Sequence, residues 1–322
     1  MRKGRFAPTP SGNLHIGNMG TALLAWLAVR SAGGIFVLRL EDIDRPRCRR
    51  EYAETIIEDL RWIGIDWDEG PDVGGTHAPY VQSERLHTYE EAMNKLLAAG
   101  HLYPCFCSRA KLIEIASAPH GISSEGPVYP GTCRALTSEE IAVRAKLKTP
   151  SYRFRMPDKP IVFEDGVYGE QRFAPAYGGD FIVKRADHIH AYQLAVVVDD
   201  AAMGITDVLR GADLLDSTPR QIVLYEALGL TVPTFTHIPL LHMNQHEKMS
   251  KRHQEGATSI VHMRRAGVRR EKLTGWLAFL YGQIEKPEQL SPDELLAHFD
   301  IKRVPNRPVI LPEHMLQDLY DA

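Results

Sequence analysis

Two widely separated segments carry residues suited to holding phosphate. The stretch Pro8-Thr9-Pro10-Ser11-Gly12-Asn13-Leu14-His15-Ile16-Gly17-Asn18 reads as a glycine-bearing turn running into a helix. Such a junction offers backbone N–H groups and the positive end of the helix dipole to an anion. His15 and Asn18 are three apart and share one face of a first helical turn. Both are able to donate hydrogen bonds to charge developing on a phosphate, and Gly17 leaves room for a nucleotide to approach the backbone. More than two hundred residues downstream, Lys248-Met249-Ser250-Lys251-Arg252 places two lysines, an arginine and a hydroxyl in a polar stretch. That set clamps a polyphosphate by point charge, and loops of this kind close over a bound substrate. Taken singly, the first motif is also compatible with an ordinary surface histidine and the second with a solvated basic patch. Their joint presence argues for a nucleotide site.

A third constellation is Cys105-Phe106-Cys107 with Tyr129 and Cys133. Three thiolates are one ligand short of a tetrahedral structural zinc site; the candidates for the fourth are Tyr129, His101 and His120. Three reduced structural cysteines without metal are the alternative. Cys48, set among Arg45, Arg47, Arg49 and Arg50, reads as a free thiol. Four cysteines in 322 residues make no disulfide framework, which points to a reducing, cytoplasmic compartment.

The elements that position these residues are partly legible. A short strand at Arg5-Phe6-Ala7, a helix from about Gly17 to Ser31 and a buried strand at Ile35–Leu40 give a β-loop-α-β order. That order predicts an α/β fold with a doubly wound parallel, Rossmann-like sheet. Helices are expected near 50–63, 84–99 and 219–228, and strands at Leu194–Val198 and near 236–241. Residues 103–186, rich in proline, glycine and cysteine, read as an inserted α+β subdomain with the zinc site. It splits a catalytic domain formed by 1–102 and 187–247. Beyond His242 the pattern reads as helical to the end, with helices near 269–281 and 292–298, so 248–322 is expected to be a helical region.

Composition excludes other classes. With 44% hydrophobic and 25% charged residues and a net charge of −3, the chain is neither disordered nor fibrous, and it does not announce a nucleic-acid binder in bulk. The Arg2, Lys3 and Arg5 start is followed by Pro8, Pro10, Gly12 and Asn13, unlike a signal peptide, and the run Ala22–Val29 is too short to span a bilayer. A soluble, untargeted monomer with no membrane partner is expected. Local charge is different: between Lys248 and Lys272 eight Lys or Arg oppose Glu255 and Glu271. Arg264, Arg265, Arg269 and Arg270 would suit a phosphate backbone, or form a solvated helix face.

His15-Ile16-Gly17-Asn18 and Lys248-Met249-Ser250-Lys251-Arg252 resemble the two signatures of class I aminoacyl-tRNA synthetases, with Asn18 where the first signature's name has histidine. Arg5 to His15, Leu38-Arg39-Leu40-Glu41-Asp42-Ile43-Asp44-Arg45, and Val197-Val198-Asp199-Asp200 running on to Val208–Leu215 narrow the resemblance to the glutamyl type. It covers essentially the whole chain. The resemblance implies ATP-dependent formation of glutamyl-adenylate, with Mg2+ accompanying ATP. His15, Gly17, Asn18, Lys248, Ser250 and Lys251 would serve the nucleotide, and His15, Asn18 and Lys251 the charge of the transition state. Positioning and charge stabilisation would suffice, without a protein nucleophile. It also implies a glutamate pocket in which Arg5 and Arg210 hold the side-chain carboxylate and Glu41 the ammonium. Phe6, Ala7, Pro8, Thr9 and Tyr192 would line that pocket, and one structural Zn2+ would sit on Cys105, Cys107, Tyr129 and Cys133. Read without the family, Arg5 and Arg210 are surface ion pairs and Glu41 a helix cap.

Only 71 residues follow Lys251, enough for stem-contact helices and too few for a large anticodon-binding domain. The expectation is a shortened member of the glutamyl type that attaches glutamate to the queuosine base in the anticodon of tRNA(Asp). Alternatives are a truncated enzyme charging a tRNA 3′ end, another class I nucleotidyltransferase, and a non-catalytic RNA-binding paralogue.

Overall fold

The computed structural model describes all residues except 109–121, 124–125, 245–246, 249–255 and 322, and only the backbone of 122–123, 126–127, 244 and 247–248. The first strand, β1 (Lys3–Phe6), leads through the Pro8–Asn13 loop into α1 (Ile16–Arg30) and on to β2 (Ile35–Leu38). The helices α2 (Arg50–Ile63) and α3 (Leu86–Ala98) follow. After 190 the chain forms α4 (Tyr192–Ala202), β3 (Asp207–Gly211), α5 (Thr218–Ala227) and β4 (Thr234–Ile238). β2, β1, β3 and β4 lie side by side in that order and all run parallel. This is a Rossmann-like α/β sheet.

Both faces of that sheet are buried, and β2 accordingly reads as a continuous apolar run, whereas β1, β3 and β4 carry polar and charged residues as well. Phe36, Leu38 and Leu209 join the core formed with α1 and α2, whereas Val37, Val208 and Phe235 join the core formed with α3, α4 and α5. Alternation along each strand therefore assigns every residue to a face. Val37, Arg39 and Glu41 share the α4 side, as do Val208 with Arg210 and Phe235 with His237. Arg5 is the register partner of Val37, and Arg210 that of His237, so all of them project from the same side.

Two sequence expectations are corrected here. Leu194–Val198 is not a strand but the middle of α4, where every residue from Gln193 to Asp200 is buried. A helix buried all round shows no amphipathic period, and its β-branched run imitates a strand. The inserted segment also adds strands to the sheet that it interrupts. Its hairpin of β5 (Ile161–Asp165) and β6 (Gly169–Phe173) extends the main sheet from β4, with Phe235 paired to Asp165. Beyond His242 the chain is not wholly helical. Leu241–Asn244 pairs with Glu247–Lys248 and with Val309–Ile310, in a region where Pro305, Pro308 and Pro312 exclude a helix. The helices there are α6 (Ile260–Arg265), α7 (Arg270–Leu280), α8 (Pro292–Leu295) and α9 (Met315–Tyr320).

The C-terminal part is fastened to the catalytic sheet through α7, whose Trp276 and Leu277 join the α1 core. The segment around Glu288 crosses α7 at Gly275, where an added Cβ would stand 1.5 Å from the Glu288 carbonyl oxygen. Gly275→Ala should therefore destabilise the fold by at least about 2 kcal/mol in urea unfolding, since the obstacle is backbone and not a movable side chain. An unchanged midpoint would refute this contact.

Candidate active site

The carboxyl ends of β1, β3 and β4 and the N-terminus of α1 enclose a cavity of about 560 Å3. It opens where β1 is followed on one side by β2 and on the other by β3, the switch point at which open α/β sheets bind ligands. Arg5, Phe6, Ala7, Pro8, Thr9, His15, Gly17, Asn18, Glu41, Tyr192 and Arg210 all line it. Residues up to 205 positions apart in the chain thus meet in one space. The Arg39 amide bonds to the Phe6 carbonyl and the Glu41 amide to that of Pro8, extending the β1–β2 pairing and bringing Glu41 beside the loop.

Arg5, Glu41 and Arg210 are 4%, 7% and 5% exposed, which excludes the surface ion-pair and helix-cap readings. Arg5 Nε donates to both oxygens of Asp200 at 3.1 and 3.2 Å. The wholly buried Arg39 donates to Asp200 at 2.7 Å and to Glu41 at 3.0 Å. Below it, Asp199 receives Arg85 at 2.6 Å, Tyr89 at 2.8 Å and Gln82 at 2.9 Å. Burial would raise the Asp200 carboxyl, but Arg39 and Arg5 outweigh it and hold the group below the usual range. For Glu41 burial prevails over the same two cations and the carboxyl is raised.

Arg210 is different: each of its partners is uncharged. Nε donates to His237 Nε2 at 3.0 Å, Nη1 to Gln221 Oε1 at 2.7 Å, and Nη2 to Thr218 Oγ1 at 2.9 Å and the Leu214 carbonyl at 3.4 Å. Burial lowers its affinity for the proton, although a guanidinium stays charged. A buried cation without a carboxylate is stabilised by an anionic ligand entering the cavity. Because Nη2 and Nε are engaged, Arg210 offers chiefly one Nη1 hydrogen and its charge instead of a bidentate fork. The Tyr192 hydroxyl, at the first turn of α4, has its pKa raised by burial in the same place.

At the other end of the cavity His15 is the N-cap of α1. Its Nδ1 accepts from the Asn18 amide and the Asn18 Oδ1 accepts from the His15 amide, both at 3.2 Å. This reciprocal box fixes the imidazole proton on Nε2, and the Asn18 side-chain NH2 is a donor. The helix N-terminus is less open than its sequence suggests, since the Ile16 amide bonds to the Thr258 carbonyl at 3.0 Å. The Ile260 amide reciprocates to Leu14 at 2.9 Å. Ser250 and Lys251 lie outside the described residues, as does the side chain of Lys248. The described flanks of that segment adjoin lining residues: Lys248 pairs with His242, next to Leu241, the Thr258 carbonyl accepts from the Ile16 amide, and Ser259 bridges to His15.

The inserted segment gathers Cys105, Cys107 and Cys133, whose sulfurs lie within 4.8 Å of one another. With Zn–S of about 2.3 Å, a tetrahedral site has S–S edges of about 3.8 Å and S–O edges near 3.5 Å. Cys107 and Cys133 are 3.7 Å apart, and the Tyr129 oxygen is 3.4 Å from Cys105 and 3.8 Å from Cys107. These three edges fit such an ion, and the remaining sulfur separations lie within 4.8 Å. Arg153 adds a compensating cation, donating to Cys105 Sγ at 3.3 Å and lying 3.8 Å over the Tyr129 ring. His120 is outside the described residues, and His101 stacks on Phe154 instead.

The basic stretch is less available than its count implies. Arg264 is spent on Glu58 at 2.7 Å and the fully buried Asp59 at 3.1 Å, and Arg270 on Glu271 at 2.8 Å. Arg265 and Arg269 remain exposed. Arg39, Asp200, Gln221, Thr218 and His237 were given no role by sequence reasoning. The one available signal was charge inside apolar runs, at Arg39 and at Asp199-Asp200.

The fold and the site together define a tRNA synthetase. Residues 3–318 match the family described as tRNA synthetases class I (E and Q), catalytic domain, and the chain belongs to that family. It is a ligase with glutamyl-tRNA synthetase-like activity. Within the family it is 59% identical to the glutamyl-Q tRNA(Asp) synthetase of Symbiobacterium thermophilum, over 98% of both chains. It is 47% identical to the protein of the same name from Nitratidesulfovibrio vulgaris, over 99% of this chain and 98% of that one. The glutamate–tRNA ligase of Sulfurihydrogenibium sp. is 44% identical over 96% of this chain but 65% of its own length. A crystal structure of the glutamate–tRNA synthetase of Elizabethkingia anophelis superposes with a TM-score of 0.85 at 29% identity, covering 99% of this chain and 69% of that one. No described helix is long and apolar enough to cross a membrane.

Placing a carboxylate on Arg210 from within the protein tests the role of its uncharged surroundings. Gln221→Glu should neutralise the guanidinium through the 2.7 Å contact and raise the KM for glutamate by about tenfold or more in ATP–pyrophosphate exchange. A KM equal to that of the unaltered protein would refute it.

Proposed function

We propose that the chain activates L-glutamate with ATP and transfers the glutamyl group to the queuosine base in the anticodon of tRNA(Asp). The observation that carries the first half is Arg210, a buried cation with only uncharged partners, facing the cavity beside Arg5 and Glu41. Arg210 and Arg5 take the side-chain carboxylate and Glu41 the ammonium, while Tyr192 and the segment from Phe6 to Thr9 close the pocket. The α-carboxylate oxygen then attacks the α-phosphorus of ATP, and pyrophosphate leaves. Developing phosphate charge is met by His15 and Asn18, with Gly17 giving backbone approach, and by Lys248, Ser250 and Lys251 from the other side. Mg2+ travels with the triphosphate. Transfer forms a glutamyl–base bond and releases AMP.

The acceptor is supported by the relatives: two proteins named for glutamyl-Q tRNA(Asp) synthesis are matched end to end, whereas glutamate–tRNA ligases are matched over about two thirds of their length. In this reading 1–102 and 187–247 are the catalytic domain, 103–186 the insertion, and 248–322 the region that meets the RNA stem. The protein acts as a cytoplasmic monomer. Cys105, Cys107, Tyr129 and Cys133 hold one Zn2+ that folds the insertion and takes no part in adenylate formation.

Two outcomes are expected. Freshly purified protein should contain about one zinc per chain, and Cys107→Ala should lose it while glutamate-dependent exchange stays within about threefold; metal analysis without zinc would reject the site. Labelled glutamate should appear on queuosine-containing tRNA(Asp), survive removal of the 3′ adenosine, and be absent when guanosine replaces queuosine. Comparable transfer to the 3′ end of tRNA(Glu) would establish the truncated 3′-charging enzyme instead.

A further inference from the structure

Arg210 is held by a chain of groups that the reaction itself does not require. The Asp165 carboxylate lies 2.6 Å from His237 Nδ1 and also accepts from the amides of Val167 and Tyr168, each at 3.0 Å. His237 is fully buried, and its other nitrogen, Nε2, faces Arg210 Nε at 3.0 Å and Thr218 Oγ1 at 3.2 Å. A guanidinium N–H has no lone pair, so Nε2 must be the acceptor. Nδ1 must then carry the proton that Asp165 receives. One tautomer of a neutral ring satisfies both contacts; the imidazolium satisfies only one.

We propose that His237, oriented by Asp165, is a positioning residue that presents Arg210 to the substrate's side-chain carboxylate with its charge uncompensated, and so sets the choice of an acidic side chain over an amide. This rests on the glutamate reading of the cavity. A carboxylate at position 237 would also bind Arg210, but it would neutralise the charge the substrate needs. An imidazolium there would repel it. A neutral imidazole holds the guanidinium in place and leaves its field to the ligand. Burial and the Arg210 charge both disfavour protonation of His237, which lies below the usual histidine range. The opposite edge is held in the same manner, since Gln221 accepts from Arg210 and donates to Gln193 at 2.9 Å. Asp165 reaches this place through the β5–β6 hairpin, so the insertion contributes to amino-acid choice through the edge it adds to the sheet.

The test uses the full chain. In ATP–pyrophosphate exchange, His237→Met should raise the KM for glutamate about tenfold and leave the KM for ATP within about twofold. It should also narrow the preference for glutamate over glutamine. His237→Gln, which restores an acceptor near the Nε2 position, should recover most of the loss. A merely structural histidine would affect both substrates alike and would not be rescued. The 15N spectrum of the imidazole at pH 7 gives a readout independent of turnover, and should show His237 as the neutral Nδ1–H tautomer in the unaltered protein. An Nε2–H or doubly protonated ring overturns the proposal, as does His237→Met with an unchanged KM for glutamate. If the unaltered protein shows no glutamate-dependent exchange, the activity reading fails, and the tautomer measurement alone decides the positioning role.

Discussion

The site depends on a cation buried without a counter-ion. Desolvating a guanidinium costs several kcal/mol unless an anion or a full set of acceptors replaces the water. Arg210 receives acceptors from His237, Gln221, Thr218 and a backbone carbonyl, all uncharged. The missing anion is therefore left for the ligand to supply. Arg5 and Arg39 show the contrasting solution, because they share Asp200 and Arg39 also takes Glu41. Of these three buried arginines, Arg210 alone hydrogen-bonds solely to uncharged groups, and it lines the cavity.

Parallel pairing gives that arrangement its rigidity. Arg5, Arg39, Glu41, Arg210 and His237 project from one face of the sheet, and α4 brings Asp199 and Asp200 onto the same face. A shift of one residue in any of these strands would turn its charged members into the apolar core on the other side. Register is thus enforced by the hydrophobic alternation, and the polar cluster inherits its precision from the apolar packing around it.

The nucleotide end is assembled from two distant parts of the chain. The first turn of α1 is capped by its own His15 and Asn18 and bridged to Thr258 and Ser259, just past the lysine-rich segment. These contacts use the amides of Ile16 and Asn18, so in the proposed nucleotide site an anion at this helix would meet side-chain donors and Gly17 more than a row of open amides. The cysteine cluster lies elsewhere, and its sulfur and oxygen spacings match a tetrahedral ion with Arg153 beside it.

The amino-acid sequence by itself determined the parts whose signal is local. Strand, turn and helix at the N-terminus follow from Pro8, Gly12 and the apolar run after them. The cysteine spacing and the two motifs read as phosphate-binding are likewise written in short stretches; His15, Gly17 and Asn18 of the first line the cavity, whereas Ser250 and Lys251 of the second lie outside the described residues. What needed the tertiary structure is whatever depends on being surrounded. Leu194–Val198 is a helix because it is buried on all sides, and burial removes the period by which helices are recognised. Arg264 looks like a phosphate contact until Asp59, 205 positions earlier, is found beside it. Asp165, His237 and Gln221 carry no motif at all, since Asp165 meets His237 across the sheet, and His237 and Gln221 accept from Arg210 from the next strand and a neighbouring helix. Charge compensation is a property of neighbours in space, and only the fold decides who those neighbours are.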